Sequence, residues 1–209
     1  MAHADSRLGI YYEHPDWYRP LFEELDRRGV KYDALHADEH RYDPSLTTSP
    51  YAVVFNRMSP SAHTRGRGHL TFYTSQYLAH LERLGVRVIN GVDAWRTEIS
   101  KAYQLTLLED LRLPHPRARV IHHASQASAA ALGLRFPVVV KPNIGGSGAG
   151  IIRFDTADGL ERRSREGAGP RHRSDRAGAG IHHARRGAHR PRRSAGRQVP
   201  VRHPHLHDG

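Results

Sequence analysis

Residues Phe136 to Phe154 read FPVVVKPNIGGSGAGIIRF. A β-branched run, Val138-Val139-Val140, leads directly into Lys141 and Pro142, and four glycines follow within six residues: Gly145, Gly146, Gly148 and Gly150. A second apolar run, Ile151 to Phe154, comes next. Two strand-like runs around a glycine-rich connection predict a hairpin with a pliable loop. Residues without Cβ let backbone approach an anion and turn several N–H groups towards it. A lysine ending the first strand adds a full positive charge on the same side. The combination reads as a lid over nucleotide phosphates.

Two commoner phosphate motifs do not fit. A P-loop places its lysine after the glycines and opens a helix, whereas Lys141 precedes them. The dinucleotide fingerprint also needs a helix after its glycines, and Ile151-Ile152-Arg153-Phe154 is a strand sequence. A plain flexible hairpin is the competing reading of the loop taken alone. The preceding elements decide between them.

Upstream, Arg7 to Tyr12, Lys31 to Leu35 and Tyr51 to Phe55 read as strands. Asp16 is the expected cap of a helix through about Arg28, with Trp17, Leu21, Phe22 and Leu25 at helical spacing. This β-α-β alternation predicts an open α/β sheet. The third strand runs into Asn56-Arg57-Met58-Ser59-Pro60, at the carboxyl end where open α/β sheets bind ligands. Asn56, Arg57 and Ser59 are therefore candidate substrate-loop residues. A helix is expected over Thr71 to Leu84, its stripe made of Phe72, Tyr77, Leu78, Leu81 and Leu84. Arg87 to Asn90 is a fourth strand, Asp93 or a neighbour opens a short helix, and Ser100 caps the helix Lys101 to Leu111, whose apolar residues favour one side. A strand over Arg117 to Ile121 and an alanine-rich helix over Ala124 to Leu132 lead back to the hairpin.

The order of strand, Asn-Gly-Val-Asp, short helix, Lys-opened helix, strand, helix, strand-Lys-Pro and glycine loop resembles the ATP-grasp ligases. The branch is the one that includes glutathione synthetase and the glutamate ligase RimK. The matching stretches are Val86 to Ile121 and FPVVVKPNIGGSGAGIIRF. The resemblance implies a pre-ATP-grasp open-sheet domain over residues 1–97 and an incomplete first ATP-grasp subdomain over 98–160. It implies ATP and Mg2+ as cofactors, with Lys101, Lys141 and the loop residues Gly145, Gly146, Ser147, Gly148 and Gly150 on the nucleotide. Small-molecule or peptide carboxylates and amines are the implied substrates, joined through an acyl phosphate. No catalytic residue and no metal ligand is assigned.

The chain has 209 residues and no cysteine, so disulfides and thiolate metal sites are excluded. No apolar run approaches membrane-spanning length, and a cytoplasmic protein without membrane contact is expected. The net charge of +11 is uneven. Residues 161–209 hold 13 arginines against 4 acidic residues, while residues 1–160 hold 19 Lys and Arg against 17 Asp and Glu. With no Phe, Tyr or Trp, residues 161–209 read as a disordered tail. Such a tail would bind nucleic acid or another polyanion without sequence choice. A platform with that basic tail is the competing function. Arg, Ala, Gly, Pro and His in excess is also what GC-rich codons give out of frame. Read one base later, the stretch Arg176 to His182 permits a strand sequence of the kind an ATP-grasp module needs there. On this reading the chain is a truncated, inactive version of a ligase.

Overall fold

A computed structural model describes residues 7–14, 16–145, 148–167 and 179–183. The expectations placed on Gly146, Ser147 and most of the basic tail lie outside those residues.

The first half is an open parallel sheet of four strands, β1 (Arg7–Tyr12), β2 (Tyr32–His36), β3 (Tyr51–Asn56) and β4 (Arg87–Ile89), in the order β2-β1-β3-β4. All three pairings are parallel, so the four carboxyl ends share one edge. Helices α1 (Arg19–Arg27), α2 (His69–Arg83) and α3 (Val92–Ile99) connect or follow the strands, with a 3-10 turn over Pro60–Arg65. The core gathers Tyr11, Val54, Met58, Leu70, Tyr77, Leu78, Leu81 and Trp95. The carboxyl ends of β3 and β4 are clasped by a reciprocal amide pair. Asn56 Nδ2 donates to the Asn90 carbonyl at 2.9 Å, and Asn90 Nδ2 returns a bond to the Asn56 carbonyl at 3.1 Å.

The second half is a mixed sheet. Helix α4 (Lys101–Asp110) leads to β5 (Ala118–Ile121), a 3-10 turn and α5 (Ala127–Ala130). Then β6 (Val138–Pro142) and β7 (Ile152–Phe154) form the expected antiparallel hairpin, Val138 opposite Phe154 and Val140 opposite Ile152. Helix α6 (Ala157–Gly167) follows, and β8 (Ala179–His183) is the last strand among the described residues, which gives the order β5-β8-β6-β7. A second, separate core joins Ile121, Ala127, Ala131, Leu134, Val138 and Leu160.

Several local expectations change. Helix α1 starts at Arg19 with Tyr18 as cap residue and no side-chain cap bond. Pro20 in its first turn accounts for the later start, because proline is preorganised for that position. Asp16 contributes instead a carboxylate contact to Arg19. Trp17, placed in the apolar stripe from its spacing, lies before the helix and is 52% exposed. Phe72 is 77% exposed, so the α2 stripe is carried by Leu70, Tyr77, Leu78 and Leu81. Helix α4 buries none of its residues completely, because its leucines are spread around the axis rather than along one side. The stretch Ala124 to Leu132 is a 3-10 turn capped by the His123 ring and then a single α-turn, not one helix. The packed body also runs on past residue 160. Leu160 and Ser164, one helical turn apart on α6, are both buried although charged residues surround them in sequence. Asp158, Glu161 and Glu166 thus stand on a helix.

Candidate functional site

Three consecutive residues at the start of α4 and the two ends of the β6–β7 loop make one locus. Ser100 caps the helix, its Oγ accepting from Tyr103 N at 3.1 Å. Asn143, just past β6, supplies the remaining partners of that first turn. Its carbonyl accepts from Lys101 N at 3.1 Å, and its Oδ1 accepts from Ala102 N at 2.8 Å. Its amide group also lies 3.3 Å from Ser100 Oγ. The free N–H groups that a helix start ordinarily offers an anion are therefore already taken. Positive charge for an anion at this locus has to come from side chains.

Two lysines provide it. The Lys101 ammonium reaches across to the loop, donating to the Gly145 carbonyl at 3.1 Å and to the Asn143 carbonyl at 3.5 Å. Burial, and second the neighbouring Lys141 charge, hold its pKa below the usual lysine range. Lys141 is half-buried in β6, one residue before that strand ends at Pro142. Two like charges held near each other and partly desolvated are a site that gains from an anion between them. Ser100, Lys101 and Asn143 thus meet although 43 residues separate Ser100 from Asn143.

The loop itself is built for backbone approach. Gly145, Gly148 and Gly150 have φ of 115°, 75° and 72°, in the left-handed region that side chains avoid. At Gly150 a Cβ would also fall 2.7 Å from Pro142 Cγ. Gly150 and Pro142 close the base of the hairpin together.

The other candidate residues sit on the carboxyl edge of the parallel sheet. Asn56 is buried and structural, its Oδ1 accepting from Met58 N at 3.1 Å besides the clasp to Asn90. Ser59 caps the 3-10 turn, accepting from Ser61 N at 3.2 Å. Arg57 alone of the three presents a functional group: its guanidinium carbon lies 5.1 Å from the ring centroids of both Tyr18 and Phe55. The fully buried Glu13, just after β1, binds Arg65 and Arg67, and Arg67 also reaches Asp38 at 2.9 Å. Sequence reading singled out neither Asn143 nor Glu13. Asn143 directly follows the Lys141-Pro142 pair, which was the available signal. Glu13 closes β1 and gives none.

A RimK domain ATP-grasp protein from Sphaerobacter thermophilus superposes with a TM-score of 0.59 at 17% identity, over 85% of this chain and 64% of that one. The fold is that of the ATP-grasp ligases. The ATP-grasp ligase PsnB, solved with a phosphomimetic variant of its minimal precursor, Mg and ADP, gives 0.55 at 19% identity over 86% of this chain and 65% of its own. D-alanyl-alanine synthetase A from Vibrio cholerae gives 0.54 at 13% identity, over 87% and 60%. By sequence, the arginine-specific carbamoyl phosphate synthase large chain of Bacillus subtilis is 24% identical over 143 residues, 64% of this chain and 14% of that protein. No family model matches. The chain thus spans somewhat under two thirds of the ATP-grasp structures it superposes on. No helix among the described residues is long and apolar enough to cross a membrane.

Proposed function

We propose that this chain binds the phosphates of ATP between Lys101, Lys141 and the Gly145–Gly150 loop, as the nucleotide-side portion of an ATP-dependent ligase. The observation that carries the reading is the Lys101 ammonium donating to the Gly145 carbonyl at the foot of the glycine loop, at a helix start already satisfied by Asn143. Phosphoryl transfer asks a protein for positioning and charge neutralisation, and lysines and loop amides are suited to both. In the reaction, a substrate carboxylate oxygen attacks the γ-phosphorus and the bond to the β-phosphate oxygen breaks, releasing ADP. An amine or similar nucleophile then attacks the acyl carbon and phosphate leaves. Small-molecule or peptide carboxylates and amines are the substrate class, with Arg57 the substrate-loop residue. Among the described residues no group of three or more His, Asp or Glu side chains gathers around one point. No residue is assigned to the expected magnesium. The chain itself is read as a nucleotide-binding, inactive version of such a ligase.

Binding of a fluorescent ATP analogue, without metal, to the full chain tests this. Lys101→Met and Lys141→Met should each weaken it about tenfold, the usual loss of one charge-assisted contact. Unchanged affinity in both variants would place the nucleotide elsewhere.

A further inference from the structure

The turn between β4 and α3 is Asn90-Gly91, the one Asn-Gly pair in the sequence. The fold asks for both residues. Asn90 has φ of 57°, a left-handed conformation that asparagine tolerates better than most side chains. Gly91 leaves room for Glu82, whose Oε1 accepts from Val92 N at 2.8 Å and would collide with a Cβ at position 91. The same pair is chemically labile. Asparagine is a thermolabile residue, and a following glycine places no side chain in the way of its own nitrogen.

The structure leaves this pair open to that chemistry. Asn90 is exposed, so water reaches its amide. The Gly91 N–H makes no hydrogen bond among the described residues, so the nitrogen is unengaged. What restrains Asn90 is the clasp to the end of β3. Its Nδ2 donates to the Asn56 carbonyl at 3.1 Å, and its carbonyl accepts from Asn56 Nδ2 at 2.9 Å. While both bonds hold, the Asn90–Gly91 peptide cannot turn to bring its nitrogen against the side-chain carbon.

We propose that Asn90 is a self-modification site, converted to aspartate or isoaspartate with loss of ammonia, and that the Asn56–Asn90 clasp gates the conversion. Once the clasp opens, the Gly91 nitrogen attacks Asn90 Cγ and a five-membered succinimide closes. The Cγ–Nδ2 bond breaks, and Nδ2 leaves as ammonia with the proton given up by Gly91. Water then opens the ring at either carbonyl and restores the Gly91 N–H; no other co-reactant is consumed. The clasp does not re-form afterwards. A carboxylate has no N–H to donate and sets a negative oxygen against the Asn56 carbonyl. Isoaspartate also routes the main chain through the former side chain, lengthening the link between β4 and α3. The strand exits lose their tie, and α3, which begins at Val92, loses a fixed seat. The proposal goes beyond the ligase reading and does not depend on it.

The full chain is incubated at mildly alkaline pH in heavy-oxygen water, then mapped by peptide mass spectrometry with isoaspartate-specific methylation. The other two asparagines, Asn56 and Asn143, are internal controls. Heavy oxygen should enter at Asn90 and not at the controls, and faster in the urea-unfolded chain, where the clasp is absent. Asn56→Asp keeps the oxygen that accepts from Met58 N but loses the donor to Asn90. It should convert at Asn90 about fivefold faster, one net hydrogen bond being lost. If that variant does not fold, NMR exchange of the Asn90 side-chain amide protons in the wild type replaces it. Amide opening and conversion should then rise together across a series of low urea concentrations. Asn90→Asp, the first product, should unfold at lower urea than the wild type. The proposal is overturned by an intact Asn90 in the folded chain, or by equal conversion at Asn56 or Asn143. It is equally overturned by a rate indifferent to clasp opening, or by an Asn90→Asp chain as stable as the wild type.

Discussion

Asn143 shows how a single residue can tie two elements that the chain keeps far apart. Its carbonyl and side chain hold the first turn of α4 to the hairpin, and Lys101 follows from that placement. Glu13 plays a comparable part on the other sheet, where burial alone would raise its pKa. The hydrogen bonds and charges of Arg65 and Arg67 outweigh burial and hold it below the ordinary value. The sign of its pH effect follows. A carboxyl whose folded pKa is depressed contributes stability above its unfolded pKa, and that contribution is lost as pH falls through the folded value. Glu13→Gln should therefore cost about 2 kcal/mol at pH 7, below the usual loss for a buried pair because both arginines are partly solvated. Urea unfolding at pH 7 and pH 3 should show the difference between variant and wild type shrinking at the lower pH. An equal difference at both would mean that the carboxylate charge is not what holds the two arginines. Lys141 and the glycines were legible in sequence because their chemistry is local. Asn143 and Glu13 were not, since their roles depend on partners 41 and 52 residues away.

At the level of elements, the strands and their alternation were readable because β-branched runs and turn residues are short-range signals. The hairpin around the glycine loop is a clear instance. What escaped were features set by tertiary contact. Helix α6 hides its buried face, Leu160 and Ser164, within a strongly charged sequence, and composition averages that away. Strand β8 is the sharper case. It pairs antiparallel with both β5 and β6, with Ile181 opposite Arg119 on one side and Val140 on the other. Its sequence, AGIHH, carries little strand propensity. Ile181→Pro removes one N–H from a strand flanked on both sides, where proline has no tolerated place. Amide hydrogen exchange at β5 and β6 should quicken markedly in that variant while β1 to β4 keep their protection. Unchanged exchange at Val120 and Val140 would show that β8 does not hold the sheet together.

Over the whole molecule, two cores share no residue and are joined through the α3–α4 packing and the Asn143 bonds. Both tryptophans, Trp17 and Trp95, lie in the first half. Tryptophan fluorescence should therefore follow the parallel-sheet core alone, whereas far-ultraviolet ellipticity follows both. Urea unfolding is expected to give transitions that do not coincide, and an ATP analogue should move only the ellipticity component not seen by fluorescence. Superimposable curves would mean that the chain unfolds as one cooperative unit.

The place of β8 also bears on how the molecule comes off the ribosome. The four parallel strands are complete by Ile89 and can assemble while the rest is still being made. The second sheet cannot do the same, because β8, one of its two interior strands, is the last strand among the described residues. From the end of β6 to the end of β8 roughly forty residues must be translated, on the order of seconds at ordinary elongation rates. Throughout that interval the edges of β5 and β6 that β8 later joins have unpaired backbone groups facing outward, a ready template for a neighbouring nascent chain. Crowded polysomes are therefore a condition under which this protein is exposed to aggregation.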